Sequence, residues 1–179
     1  YVQRERDGTV YRYGRSGYLT SITDRTGQNT MSFLRNSQGN IVEIIDTQGR
    51  AYRLRYTTVG GNQFIESLTD FTGRRLEYSY NVQFDLVSAR SPIVTGTPNG
   101  NDFPRGKTTR YTYSAQQADN RRNHNLLTIS KPAFAGTAMV TLSYSNATNP
   151  TDVTFDRVVA ERWGNDRGGP PGNRRLVVG

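Results

Sequence analysis

Apolar and polar positions recur along this chain in a fixed phrase, apolar-x-x-apolar-x-Asp-x-x-Gly. It runs from Leu19 and Ile22 through Asp24 to Gly27, from Ile41 and Ile44 through Asp46 to Gly49, and from Ile65 and Leu68 through Asp70 to Gly73. The phrases begin 22 and 24 residues apart, within the range of repeat architectures. After Gly49 and Gly73 the alternation becomes strict, with Tyr52, Leu54 and Tyr56 against Arg53 and Arg55, then Leu76, Tyr78 and Tyr80 against Glu77 and Ser79. Period two with aromatics on one side predicts half-buried β-strands. An Asp at the head of a turn accepts a hydrogen bond from the backbone N–H two residues on, and Gly three places later takes positive φ. Each phrase therefore predicts a strand entering a tight turn. In the first unit Met31 and Phe33 stand four and six places past the glycine, where the other units use three, five and seven. This offset predicts a shortened turn or a bulge.

The phrase continues in degraded form at Leu86-Val87-Ser88-Ala89 and Leu126-Leu127-Thr128-Ile129, with Ser91-Pro92 and Lys131-Pro132 in the place of Asp. Proline is expected to make those turns. The returning strands are expected at residues 109–113 and 139–144, and a sixth unit at Val158. Tyr52, Tyr56, Tyr78, Tyr80, Tyr111, Tyr113 and Tyr144 would then form a repeated aromatic face. Core repeats span residues 10–81 and degraded repeats with inserted loops 82–163. A Gly/Pro connector and the start of a further strand, around Arg174 to Val178, occupy 164–179. The chain, 1–179, reads as a single repeat segment and, since it starts and stops in mid-pattern without an initiating Met, as part of a longer polypeptide. No window sustains a 3.6-residue apolar period, so the fold class is all-β, an antiparallel β-hairpin repeat ribbon.

Gly39-Asn40-Ile41 leading to Asp46-Thr47-Gln48-Gly49-Arg50, and the run from Asp70 to Tyr80, carry a family resemblance. Over roughly residues 10–163 the chain resembles the Rhs or YD-repeat proteins, which include shell components of bacterial toxin complexes and the teneurin barrel. The resemblance implies a ribbon of hairpins coiled into a spiral, a cage or a barrel wall, at an extracellular or cell-surface location. The family's aspartyl self-cleavage site and variable toxin domain are not recognisable in these residues. The expected role is a non-enzymatic structural segment. Its alternatives are an adhesin-type module binding glycan or protein, a filament subunit that pairs by strand addition, and a segment of an enzyme or toxin whose activity lies in a domain outside these residues. Its partners would be the rest of its own chain or identical neighbours, with an enclosed cargo or a surface glycan as further candidates.

Composition fits a thin wall: 34 % of residues are apolar and mean hydropathy is −0.72. The net charge of +8 comes from arginine, since lysine occurs only at Lys107 and Lys131. Arg53, Arg55, Arg74, Arg75 and Arg110 fall on predicted strands opposite aromatics, which reads as a solvated face. No RNP, helix-turn-helix or zinc-finger pattern accompanies the charge, so nucleic acid is not the expected partner. No apolar run approaches the ~20 residues that span a bilayer as a helix. Tyr1 to Asp7 is not a signal peptide.

Catalytic constellations are weak. The chain has no cysteine, so disulfides and Cys-based metal sites are excluded. His124, in a polar loop, reads as a solvated residue. Gly14-Arg15-Ser16-Gly17 lacks the G-x-S-x-G spacing of a nucleophile elbow. Glu43 and Glu66 are read as equivalent repeat positions stacked along one face, better explained by the repeat than by glycosidic chemistry. Asp24, Asp46 and Asp70 offer one carboxylate per turn, which suits turn capping with Gly27, Gly49 and Gly73 rather than calcium. Neither enzyme activity nor a cofactor or metal is expected. Individuality is expected in two loops, Ser91 to Lys107 and Ser114 to Asn125. Their candidate binding residues are Phe103, Arg105, Arg121, Arg122 and His124. Asn146-Ala147-Thr148 fits the N-glycosylation pattern.

Overall fold

The computed structural model describes residues 1–132 and 137–164 and the backbone of Gly172–Arg174. The chain is all-β. Its strands are β1 Val2–Arg4, β2 Val10–Tyr13, β3 Leu19–Thr23, β4 Thr30–Arg35, β5 Ile41–Ile45, β6 Ala51–Val59 and β7 Asn62–Thr69. They continue with β8 Arg75–Tyr80, β9 Leu86–Arg90, β10 Thr108–Tyr113, β11 Leu126–Ser130, β12 Val140–Tyr144, β13 Val158–Trp163 and β14 Gly172–Arg174. They form one sheet in chain order, each strand bonded to its sequence neighbours. Two compact units divide the chain, one of Tyr1–Thr58 with Gln63–Leu76, the other of Val59–Asn62 with Glu77–Gly179. Most of the connector expected at 164–179, and the strand expected around Arg174 to Val178, lie outside the described residues, β14 apart.

In the first unit one reversal is used repeatedly. Gly49 N–H donates to the Asp46 carbonyl at 2.9 Å, and Asp46 N–H to the Arg50 carbonyl at 3.1 Å, with Gly49 at φ +74°. This is a β-turn closed by a left-handed residue, a common hairpin connection. The same pair of bonds closes Glu5–Thr9, Gly14–Tyr18, Asn36–Asn40 and Asp70–Arg74. The Asp-x-x-Gly phrase thus marks only some of the turns; successive reversals of an antiparallel ribbon fall on opposite edges, and the glycine turns at Gly14 and Asn36 serve the other edge. The Asp24 turn is longer by one. Thr23 pairs Thr30 across six residues, whereas Ile45 pairs Ala51 across five. The offset of Met31 and Phe33 therefore comes from a lengthened turn, not from a shortened one or a bulge.

The phrase has a second geometric meaning. Residues three apart on a regular strand point to opposite faces, yet Leu19 and Ile22 lie on one face, because Leu19 pairs Tyr13 and Ile22 pairs Tyr11. Thr20 is an extra residue in a β-bulge that restores the facing. Val42 does the same in β5, where Ile41 pairs Arg35 and Ile44 pairs Phe33. In the second unit the bulges fall at Val87, Leu127 and Val159, so that Leu86, Leu126 and Val158 pair Tyr80, Tyr113 and Tyr144.

Register sorts the second unit's sheet into two unlike faces. One carries Tyr78, Tyr80, Tyr111, Tyr113, Leu142 and Tyr144. The other carries rows of short polar side chains. Ser79 pairs Ser88, Ser88 pairs Arg110, and Arg110 pairs Ser130. Thr112 pairs Thr128, Thr128 pairs Thr141, and Thr141 pairs Arg162. Among the described residues the only buried hydrophobic side chains are Val10 and Val140. Among the described residues no helix is long and apolar enough to cross a membrane.

The first inserted loop departs from its expectation. Pro92 does not make the turn; the chain runs on to Val94, which bridges Phe103, and reverses at Thr97–Gly100, where Gly100 N–H donates to the Thr97 carbonyl. Asp102 fixes that tip by accepting from the N–H groups of Gly96 and Thr97 and from the Thr97 hydroxyl. A proline fixes only its own φ, whereas this tip has a carboxylate to gather its donors. The turn at Lys131-Pro132 falls partly outside the described residues.

Candidate functional site

The turn aspartates spend their oxygens on their own turns. Asp46 accepts from the N–H groups of Gln48 and Arg50 and, through Oδ2, from the Arg50 guanidinium at 2.7 Å. Asp70 binds Thr72 and Arg74 in the same way, so Arg74 belongs to the turn and not to a strand face. Asp24 is held by Thr26 and by the Asn29 side chain at 2.6 Å. The Asn29 amide, above all, holds Asp24 down to about 2. For Asp70 it is chiefly the Thr72 hydroxyl, again to about 2. At Asp46 partial desolvation works upward, but the bonds from Arg50 and Gln48 outweigh it and the carboxyl stays below its ordinary range. Gly27 and Gly73 take φ of +75° and +86°.

The tyrosines of the repeated face are half-buried. Tyr56 donates its hydroxyl to the Ile41 carbonyl at 2.8 Å, and Tyr113 to the Leu86 carbonyl at 3.0 Å. Both acceptors are residues at which a bulge interrupts the ladder. Burial raises the hydroxyl pKa of Tyr56, Tyr80, Tyr113 and Tyr144. Tyr52 meets Phe71 edge to face at 6.0 Å. Glu43 and Glu66 are not equivalent: Glu43 is third in its phrase and pairs Arg53 across the sheet, whereas Glu66 is second and exposed. The third phrase has Ser67 at that position, fully buried and with its hydroxyl unpartnered.

The candidate loop residues fall into two groups. Phe103 and Arg105 lie in the loop from β9 to β10, where the Lys107 ammonium sits 3.7 Å from the Phe103 ring centre and Arg105 is exposed. Arg121, Arg122 and His124 lie beyond the other end of β10, about 20 Å away along a six-residue strand. There the loop Ser114–Asn125 is tied to its neighbours. His124 Nδ1 meets Asp85 Oδ1 at 2.7 Å, Asn125 donates to Asp156 at 2.5 Å, and Arg122 reaches the Ser145 carbonyl at 3.4 Å. Arg121 is held by Asp119 and lies 5.0 Å from the Phe155 ring centre. The Arg121 side chain, chiefly, brings Asp119 to about 2.

This edge of the second unit joins the turn Asn81–Asp85, the loop Ser114–Asn125 and the segment Ser145–Arg157. It also concentrates backbone strain. The non-glycine residues with left-handed φ among the described residues are Phe84 at +73°, Gln116 at +59°, His124 at +66° and Asp156 at +56°, all on these connections. Such conformations persist only where surroundings impose them, and they gather at binding and switch sites. Asp85, Phe155 and Asp156 were not among the residues singled out from sequence. One signal was available: Asn81-Val82-Gln83-Phe84-Asp85 aligns with the turn Asn36-Ser37-Gln38-Gly39-Asn40, with Phe84 in the glycine position.

No family model matches the chain, and no curated protein matches its sequence.

Proposed function

We propose that this chain is a non-enzymatic structural segment of Rhs/YD-repeat type, a β wall that encloses a cargo or builds an extracellular surface structure. One observation carries the reading: the phrase, its bulge and its turn recur so that each strand adds to the last without returning to an earlier one. A chain assembled this way gains surface rather than core, as a wall requires. Electron microscopy of the assembly from its native source tests it. Closed hollow particles or extended fibres support the wall, and particles no larger than one chain overturn it.

A second reading rests on the strained edge around His124 and Asp156. Three connections held by side-chain bonds form a surface whose ordering cost is met before a partner arrives. That edge suits an adhesin-type module, and replacing Asp85 and Asp156 by alanine would then weaken partner binding while leaving the strands intact.

A further inference from the structure

We propose that the hydroxyl and arginine face of the second unit binds a linear polysaccharide bearing carboxylate or sulfate groups. The first ground is charge. On the strands β8 to β13 the second unit's part of this face carries Glu77, Arg90, Arg110 and Arg162. Arg90 is paired with Glu77, while Arg110 and Arg162 are exposed and meet no carboxylate among the described residues. Solvated sheet faces ordinarily mix lysine with acidic residues as guards against association; this one has no lysine and no unpaired acid on its strands.

The second ground is spacing. Arg110 on β10 and Arg162 on β13 are three strands apart, in adjacent rows, which sets them about 16 Å apart at ordinary strand geometry. A small anion cannot touch both, whereas a chain with acidic groups at intervals can. The third ground is what lies between them. Thr112, Thr128 and Thr141 form a row of hydroxyls, and Thr112 and Thr128 are bonded Oγ1 to Oγ1 at 2.6 Å. Each hydroxyl both donates and accepts, which matches the hydroxyls of a sugar ring. Nucleic acid fits less well. The unit's strand tyrosines lie on the opposite face, so no ring is available to stack bases, and two cations are sparse against one phosphate per 3.4 Å of strand, roughly.

The test is calorimetric titration of the whole chain with polygalacturonate and with dextran sulfate, beside methyl-esterified polygalacturonate and single-stranded DNA. Binding to at least one acidic polysaccharide is expected, with a log–log salt slope of magnitude near or below about 2. Arg110→Gln and Arg162→Gln should each weaken it by at least about fivefold, with unchanged far-ultraviolet circular dichroism, while Arg105→Gln in the loop should not. Absence of binding to both acidic polymers overturns the proposal. So does equal binding of the neutral ester, an unaltered affinity in the double arginine variant, or tighter binding of the DNA.

Discussion

A turn residue at left-handed φ has two separate reasons to be glycine, and the chain holds an example of each. Around Gly49, at φ +74°, nothing lies within 4 Å of the place a Cβ would occupy. Gly49→Ala should therefore cost only the backbone term, about 1–2 kcal/mol. At Gly106, φ +67°, the added carbon would fall 2.4 Å from the Ser91 carbonyl oxygen, so Gly106→Ala should cost clearly more. Urea midpoints of the two variants check the order. The capping aspartates allow a similar comparison. Asn36 already caps its turn through Oδ1, with bonds of 3.0 Å from Gln38 and Asn40. Asp70→Asn should thus retain the turn and be destabilised less than Asp70→Ala, again by denaturant midpoint. Residues such as Asp70 and Gly73 were legible from sequence because a turn is decided within five residues. Phe84, Asp85 and Asp156 were not, because their roles depend on bonds between loops distant along the chain.

At the level of the strand, the bulge has consequences a deletion can expose. Removing Val42 leaves Ile41 and Ile44 two residues apart, which plain alternation places on one face. That deletion should preserve cooperative unfolding and the Glu43–Arg53 pair. Removing Ser32 instead drives Met31 or Phe33 through the sheet, since one residue of slip exchanges the faces, and should abolish the cooperative transition in thermal circular dichroism. Tyr56→Phe removes the hydroxyl that reaches Ile41 and should cost about 0.5–1.5 kcal/mol in the same measurement. Strand positions and the aromatic side were readable, since Tyr52, Leu54 and Tyr56 alternate without interruption. The bulges were not. A spacing of three is silent about which neighbour is extra, and only the register of Leu19 against Tyr13 identifies Thr20. Likewise the offset at Met31 looked the same for a bulge as for a longer turn.

Across the whole chain the titrating groups bracket a pH range. The ordinary carboxyl value is 3.8, and Asp24, Asp70 and Asp119 lie at about 2 in the folded state. Their contribution is complete above the unfolded value and is lost as pH falls through about 2. The half-buried tyrosines are raised from 10.0, so their contribution is complete below that value and is lost as pH rises through their higher folded values. Denaturant midpoints should therefore form a plateau between about pH 4 and 10 that declines on both sides; a midpoint still level at pH 2.5 would contradict the turn assignments. The sheet order carries a consequence of another kind. Because every strand pairs with the one made just before it, the ladder needs no residue that has not yet been synthesised. Loops this short close quickly, and a nascent chain emerging at about 5–20 residues per second has time to dock each hairpin before the next appears. Unpaired backbone is then limited to the outer edges of the first strand and the newest one, so a growing polypeptide of this kind can be long without its sticky edge lengthening as it grows.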